Sequence, residues 1–281
     1  MMTSDTDGRP RLLSVARRLT LSVCALTCFA GPLPAAENDF ARCLNELSVA
    51  ARGAGLPSGL VDRVIGGLSY QPRVIELDRA QPEFRRSFSA YYRVRVSPTR
   101  IEQGRRLRAE RSALLDRLRR QYGVPGHYLL AFWGLETNYG GYLGKQPTLD
   151  SLATLACDQR RSDFFRGEFL LAMRVLNRES LQPEKMRGSW AGAMGHMQFM
   201  PSSWYSYAVD GDGDGQVDLW GSEADALASG ANFLRSLGWQ TGERWGREVQ
   251  LPADFDYAMT GADQKRSLDE WRALGLRRGD G

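Results

Sequence analysis

Apolar positions recur along this chain at intervals of three and four residues and almost nowhere at intervals of two. Phe40, Leu44, Leu47 and Ala51 form such a stripe behind Asn38, a residue suited to capping a helix. Pro57 to Leu68 fits a second, short helix. Ser97-Pro98 opens a third, with Ser as cap and Pro at the first helical position. That helix carries Leu107, Leu114, Leu115 and Leu118 as far as Gly123, and its many arginines form a solvated face. Pro125 starts a helix that ends at Glu136 and is stopped by Gly140-Gly141. Ser162 begins one with Phe165, Phe169, Met173 and Leu176 on a single side, and Glu223 to Leu237 is helical again before Gly238. Strand signals are confined to Val249-Gln-Leu-Pro and Phe255-Asp-Tyr. The pattern predicts a mainly α protein with a small C-terminal α/β appendage and no internal repeat.

Composition changes that picture little. The 281 residues are 42% hydrophobic and 25% charged, ordinary for a soluble globular chain. Net charge is +4, and there is no basic stripe interleaved with aromatics of the kind nucleic-acid binding needs. Residues 1–36 read as an export signal: Arg11, Arg17 and Arg18 precede an apolar run from Leu19 to Ala30, with small residues at Pro34-Ala35-Ala36. The run is short for a membrane span. Cys28, preceded by Ala-Leu-Thr, matches a lipoprotein signal poorly. Removing the signal would leave two cysteines, Cys43 and Cys157, and an even pair in an oxidising compartment points to a disulfide. Two cysteines and two histidines, His127 and His196, make no zinc cluster.

Glu136 is the first candidate for chemistry. It closes the run Tyr128-Leu-Leu-Ala-Phe-Trp-Gly-Leu-Glu136, so the sequence predicts a carboxyl sheltered among Leu129, Leu130, Phe132, Trp133 and Leu135. Desolvation favours the protonated form of such a group, and a carboxylic acid can protonate a leaving oxygen, as glycosidic cleavage requires. A second candidate is Gly188-Ser-Trp-Ala-Gly-Ala-Met-Gly with Gln198-Phe-Met-Pro-Ser202. Small residues there admit either a ligand or a tight backbone crossing, with Ser189 and Gln198 as hydrogen-bonding groups. A third is Asp210-Gly-Asp-Gly-Asp-Gly, where Asp210, Asp212 and Asp214 form an oxygen-rich set of the type that holds Ca²⁺. The EF-hand pattern needs a twelfth-position glutamate, and that position here is Gly221; an acidic solvated turn is the alternative.

Together with Gln81-Pro-Glu-Phe84, Ser151-Leu-Ala-Thr-Leu155, Arg160-Arg161 and Gly238-Trp239, these three motifs resemble the membrane-bound lytic transglycosylase B family, glycoside hydrolase family 103, in order from about residue 39 onward. The resemblance implies a lysozyme-like helical core over 123–240 bearing the calcium loop, an N-terminal helical region over 37–122, and a partial appendage over 241–281. It implies periplasmic cleavage of peptidoglycan at the MurNAc-GlcNAc bond with 1,6-anhydromuramoyl ends, Glu136 being the single acid/base. Ser189, Gln198, Arg160 and Arg161 are implied as substrate contacts, and Tyr139, Trp190 and Phe199 as sugar-stacking surfaces. Asp210, Asp212, Asp214, the Gln216 carbonyl and Asp225 would hold a structural Ca²⁺. Peptidoglycan strands are the implied partner, with wall-synthesis or remodelling proteins beside them. The family continues beyond the position of Gly281 through its appendage to a return helix, so the resemblance implies a truncated reading frame, a fragment or a shortened member. A hydrolytic muramidase and a catalytically impaired wall-binding protein are the alternatives.

Overall fold

The computed structural model describes residues 35–80, 87–261 and 263–279. The export signal with Cys28, save its last residues, and the whole Gln81-Pro-Glu-Phe84 motif lie outside them. Helices dominate: α1 (Ala35–Gly53), α2 (Ser58–Gly66), α3 (Pro72–Ala80), α4 (Phe88–Arg95), α5 (Pro98–Glu110), α6 (Ser112–Tyr122), α7 (Gly126–Thr137), α8 (Thr148–Ala156), α9 (Ser162–Arg178), α10 (Pro201–Tyr207), α11 (Glu223–Ser236) and α12 (Leu268–Ala273). Strands β1 (Gln146–Pro147) and β2 (Arg187–Gly188) form one antiparallel ribbon, and β3 (Val249–Gln250) and β4 (Arg277–Arg278) another. No described helix is long and apolar enough to cross a membrane.

Helix α8 is the centre of the core. Its residues from Thr148 to Ala156, Asp150 excepted, are all buried, as expected of a helix covered on every side. Helix α9 packs along it through Phe165, Phe169, Met173 and Leu176, each 1% exposed or less. Glu168, buried on the same helix, reaches to the start of α10: its Oε1 accepts the Ser202 hydroxyl at 2.7 Å and its Oε2 the Ser202 N–H at 2.9 Å. That cap turns the chain into α10 directly after Pro201, satisfying an otherwise orphaned amide. Cys43 and Cys157 are joined, tying α1 to the C-terminal end of α8 across 114 residues of sequence.

The structure alters several boundaries. The helix read through 98–122 is two, because the backbone breaks at Arg111 (φ −103°, ψ 17°), whose guanidinium Nε donates to Glu223 Oε2 at 2.7 Å. Ser97 caps α5 as predicted, accepting the Arg100 N–H, and Gly123 ends α6 with φ +75°. Helix α1 begins at Ala35, before Asn38. Phe255-Asp-Tyr is no strand; Asp256 caps a 3-10 turn over Tyr257–Met259 instead. Ribbon β1–β2 escaped the pattern because two residues, one of them proline, leave no alternation to read.

Candidate active site

Helix α7 buries one face only. Leu129, Leu130, Trp133, Gly134 and Thr137 turn inward at helical spacing, while Leu135 is 39% exposed and Glu136 lies on the outward side. The sheltered carboxyl expected from the apolar run is therefore corrected: Glu136 reaches solvent. Neighbouring protein atoms still strip enough water to raise its pKa above the ordinary value, and Arg95 partly opposes that rise. Arg95, at the end of α4, is fixed beside it by donating to the Leu135 carbonyl at 3.4 Å. Asn138, with φ 52°, then ends the helix in a left-handed turn.

The loop Gly188–Met200 is locked behind this helix end. Trp133 Nε1–H donates to His196 Nδ1 at 2.9 Å, which leaves Nε2–H to donate to the Trp220 carbonyl at 3.0 Å. His196 is thus a neutral imidazole, and burial lowers its pKa in keeping with that state. Thr137 Oγ1 donates to the His196 carbonyl at 2.8 Å, and the His196 N–H donates to Leu219 C=O at 2.9 Å. Gly140, φ +80°, lies so close over the imidazole that an added Cβ would come within 2.3 Å of it. The two glycines Gly144 and Gly188 meet backbone to backbone; a Cβ on Gly144 would stand 2.1 Å from the Gly188 carbonyl. Gly188 of the motif thus serves a close crossing of chain segments.

The sequence-predicted contacts separate into groups. Ser189 Oγ accepts the Ala193 N–H at 3.0 Å and the Ala191 N–H at 3.3 Å, shaping the loop. Gln198, with φ 47°, donates from Nε2 to the Gly195 and Leu143 carbonyls and bridges the loop to the segment after α7. Trp190 is half-buried. Phe199, expected as a sugar-stacking surface, is 3% exposed and packs its ring against Phe233, so it belongs to the core. Tyr139 is half-buried: its ring rests against Gly104 and Gly134, and its hydroxyl donates to the Arg100 carbonyl at 2.9 Å. Arg160 and Arg161 both hold the buried carboxylate of Asp78, Arg160 at 2.5 Å. Burial pushes the Asp78 carboxyl up, and the two guanidinium groups more than reverse it, so its pKa is lowered.

In the acidic loop, oxygens of Asp210, Asp212 and Asp214 converge within 4.8 Å of one another, all three side chains exposed. Gly213 (φ +85°) and Gly215 (φ +87°) turn the chain and donate their N–H groups to Asp210, lowering its pKa. Asp225 is not one of the three converging carboxylates, though its carboxyl interacts with Asp212. It is 1% exposed and braces the loop, accepting the Gly211 and Asp218 N–H groups at 2.7 Å each. Gln216 donates its N–H to Asp214 Oδ1 at 2.8 Å. The loop runs on to Leu219 and Trp220, whose carbonyls meet His196. Arg95 and His196 are the two site residues the pattern missed. Nothing local marks Arg95, while His196 was visible as a lone histidine inside a glycine-rich loop.

A helical core with an acid at the outer end of α7, backed by a glycine-rich loop and an acidic loop, defines the class. A family model described as the transglycosylase SLT domain matches residues 39–281, and the chain belongs to that family. Membrane-bound lytic murein transglycosylase B of Escherichia coli K12 is 37% identical over 187 residues, 64% of this chain and 50% of the relative. SltB3 from Pseudomonas aeruginosa, solved in complex with NAG-NAM-pentapeptide, is 39% identical with a TM-score of 0.80, covering 86% of this chain and 65% of that one. The Escherichia coli lytic transglycosylase Slt35 in complex with calcium is 29% identical with a TM-score of 0.70, over 88% of this chain and 76% of its own. The chain thus spans half of its curated relative's length.

Proposed function

We propose that this chain is a periplasmic lytic transglycosylase that cleaves peptidoglycan between MurNAc and GlcNAc with Glu136 as its single acid/base. The observation that carries the reading is Glu136 itself: a solvent-reachable carboxyl whose pKa is raised, at a helix end fixed by Trp133, Thr137 and His196. Protonated Glu136 gives its proton to the glycosidic oxygen as the C1–O bond breaks. The resulting carboxylate takes the proton from the C6 hydroxyl of the same muramoyl sugar as that oxygen bonds to C1, closing a 1,6-anhydro ring and restoring the acid. An internal hydroxyl held near C1 has a high effective concentration, so no activated water is needed. Similarity to a structure bound to NAG-NAM-pentapeptide supports the choice of a peptide-bearing glycan.

Asp210, Asp212 and Asp214 fit a hard divalent cation, because three converging carboxylates repel unless a positive charge lies among them. Ca²⁺ there would be structural, holding the loop that leads to Leu219 and Trp220. Similarity to a relative solved with calcium supports the identity of the ion.

Digestion of purified sacculi followed by mass spectrometry tests the reaction. Anhydromuramoyl ends are expected, and Glu136→Gln should slow their release by at least ~10²-fold, the usual contribution of a general acid. Reducing ends would assign a hydrolytic muramidase, and equal release by both proteins would leave only wall binding.

A further inference from the structure

The chain has two histidines, and the fold treats them in opposite ways. His127 is exposed at the start of α7 and makes no hydrogen bond with any described residue. His196 is 8% exposed, and both of its ring nitrogens are engaged. Trp133 Nε1–H donates to Nδ1 at 2.9 Å, and an indole nitrogen can only donate, so Nδ1 is bare. Nε2 faces the Trp220 carbonyl at 3.0 Å, which can only accept, so Nε2 carries the hydrogen. The site fits one tautomer of the neutral ring.

A second proton has no place there. On Nδ1 it would set one N–H against another, breaking the bond to Trp133 and leaving a positive charge among buried groups. The elements packed around the ring offer that charge little. From α7 and the turn after it come Trp133, Thr137 and Gly140, none of which titrates. Tyr139, edge-on to Trp133 at 5.7 Å, keeps its hydroxyl on the Arg100 carbonyl. On the acidic-loop side, Asp218 and Glu223 both favour the charged ring, and burial outweighs them. Neither forms an ion pair with it among the described residues: Asp218 accepts the Trp220 and Gly221 N–H groups, and Glu223 is bound to Arg111.

Trp133 precedes Glu136 by three residues on α7, and Thr137, next to the acid, bonds the His196 carbonyl. The imidazole thus holds the helix end from which the acid projects. Glu136 begins the reaction proposed above protonated and ends it protonated, so acid solution by itself only fills the working form. A fall of activity in acid needs a second group. We propose that His196 is that group: a positioning residue whose neutral ring fixes the acid's helix, and whose protonation at Nδ1 expels the Trp133 N–H and slackens the helix end. Its effect on activity rests on Glu136 being the acid; the hydrogen-bond switch itself does not.

The test uses the full chain at fixed Ca²⁺ and compares wild type with His196→Gln, whose amide can accept from Trp133 and donate to Trp220 without titrating, and with His127→Gln. The ratio of anhydromuramoyl release rates at limiting sacculi, wild type over His196→Gln, should be constant above about pH 6.5, the ordinary histidine value. Below the His196 midpoint it should fall about tenfold per pH unit, as one proton dictates. Both proteins share Glu136, so its own titration cancels from the ratio. His127→Gln should follow wild type. Urea midpoints carry the same proton. Burial holds the folded His196 below its unfolded value, so wild type relative to His196→Gln should be fully stable above about pH 6.5 and lose stability as pH falls. In wild type alone, the Trp133 indole N–H resonance should titrate with the midpoint of the rate ratio. A ratio that stays flat in acid, an acid loss that disappears with His127→Gln, or an indole resonance that ignores pH overturns the proposal. If wild type releases no anhydro ends, the reading of Glu136 fails alone: a titrating indole still supports the switch, and a flat one overturns it.

Discussion

Glu136 was recognisable from its neighbours in sequence, but its setting was not. Leucines and aromatics before it suggest burial, yet at 3.6 residues per turn only part of that run faces the core, and the acid emerges at the surface. Its raised pKa comes from crowding, with Arg95 pulling in the other direction. Removing that cation by Arg95→Ala should therefore raise the Glu136 pKa further. In the proposed reaction the protonated acid is the active form, so the alkaline limb of the kcat/KM profile should move to higher pH. A limb that stays in place or moves down would show that Arg95 does not act on the catalytic proton. Phe199 and Tyr139 illustrate the same limit of a one-dimensional reading: aromatics in a ligand-like motif look like stacking surfaces until the fold turns one into the core and packs the other at a helix crossing.

Helices were legible where a cap and a 3.6-residue stripe coincide, as at Ser97-Pro98 and along Phe165, Phe169, Met173 and Leu176. Boundaries that depend on another element were not. The break at Arg111 is marked by its bond to Glu223, 112 residues away, and β1 finds its partner only when the Gly188 loop folds back. The joint between α7 and the two loops is His196, and its ring serves one donor and one acceptor that have no other hydrogen-bond partner among the described residues. His196→Ala should cost roughly 2–4 kcal/mol, since it strands a buried Trp133 N–H and the Trp220 carbonyl. Urea denaturation would measure that loss. Steady-state kinetics should show kcat falling with KM little changed, because the element displaced is the one bearing the acid; an unchanged kcat would reduce His196 to packing.

At the scale of the molecule, two constraints tie distant parts together. The Cys43–Cys157 bridge encloses 114 residues, and the chain-entropy account gives such a loop about 4–5 kcal/mol. Cys43→Ala with Cys157→Ala should lower the thermal midpoint accordingly in calorimetry, and reduction should affect wild type but not the double variant. The acidic loop is the second. If the loop binds Ca²⁺ as proposed, the ion at 100 times its dissociation constant should stabilise by about 2.7 kcal/mol, as any ligand held only by the folded state does. Melts in Ca²⁺ and in chelator would read this, and Asp212→Asn should shrink the difference; identical midpoints after verified metal removal would deny the ion a stabilising role. The sequence by itself determined the helical class, the acid at the end of its helix, the three aspartates and the cysteine pair, because periodicity, residue chemistry and parity are local or countable properties. Only the tertiary structure decided that Glu136 faces outward, that Asp78 engages Arg160 and Arg161, that Asp225 braces the acidic loop, that Arg95 acts on the acid and that His196 holds the end of its helix. Those outcomes depend on which side chains meet across the fold, and partners separated by 7 to more than 80 residues leave no trace in the spacing of either.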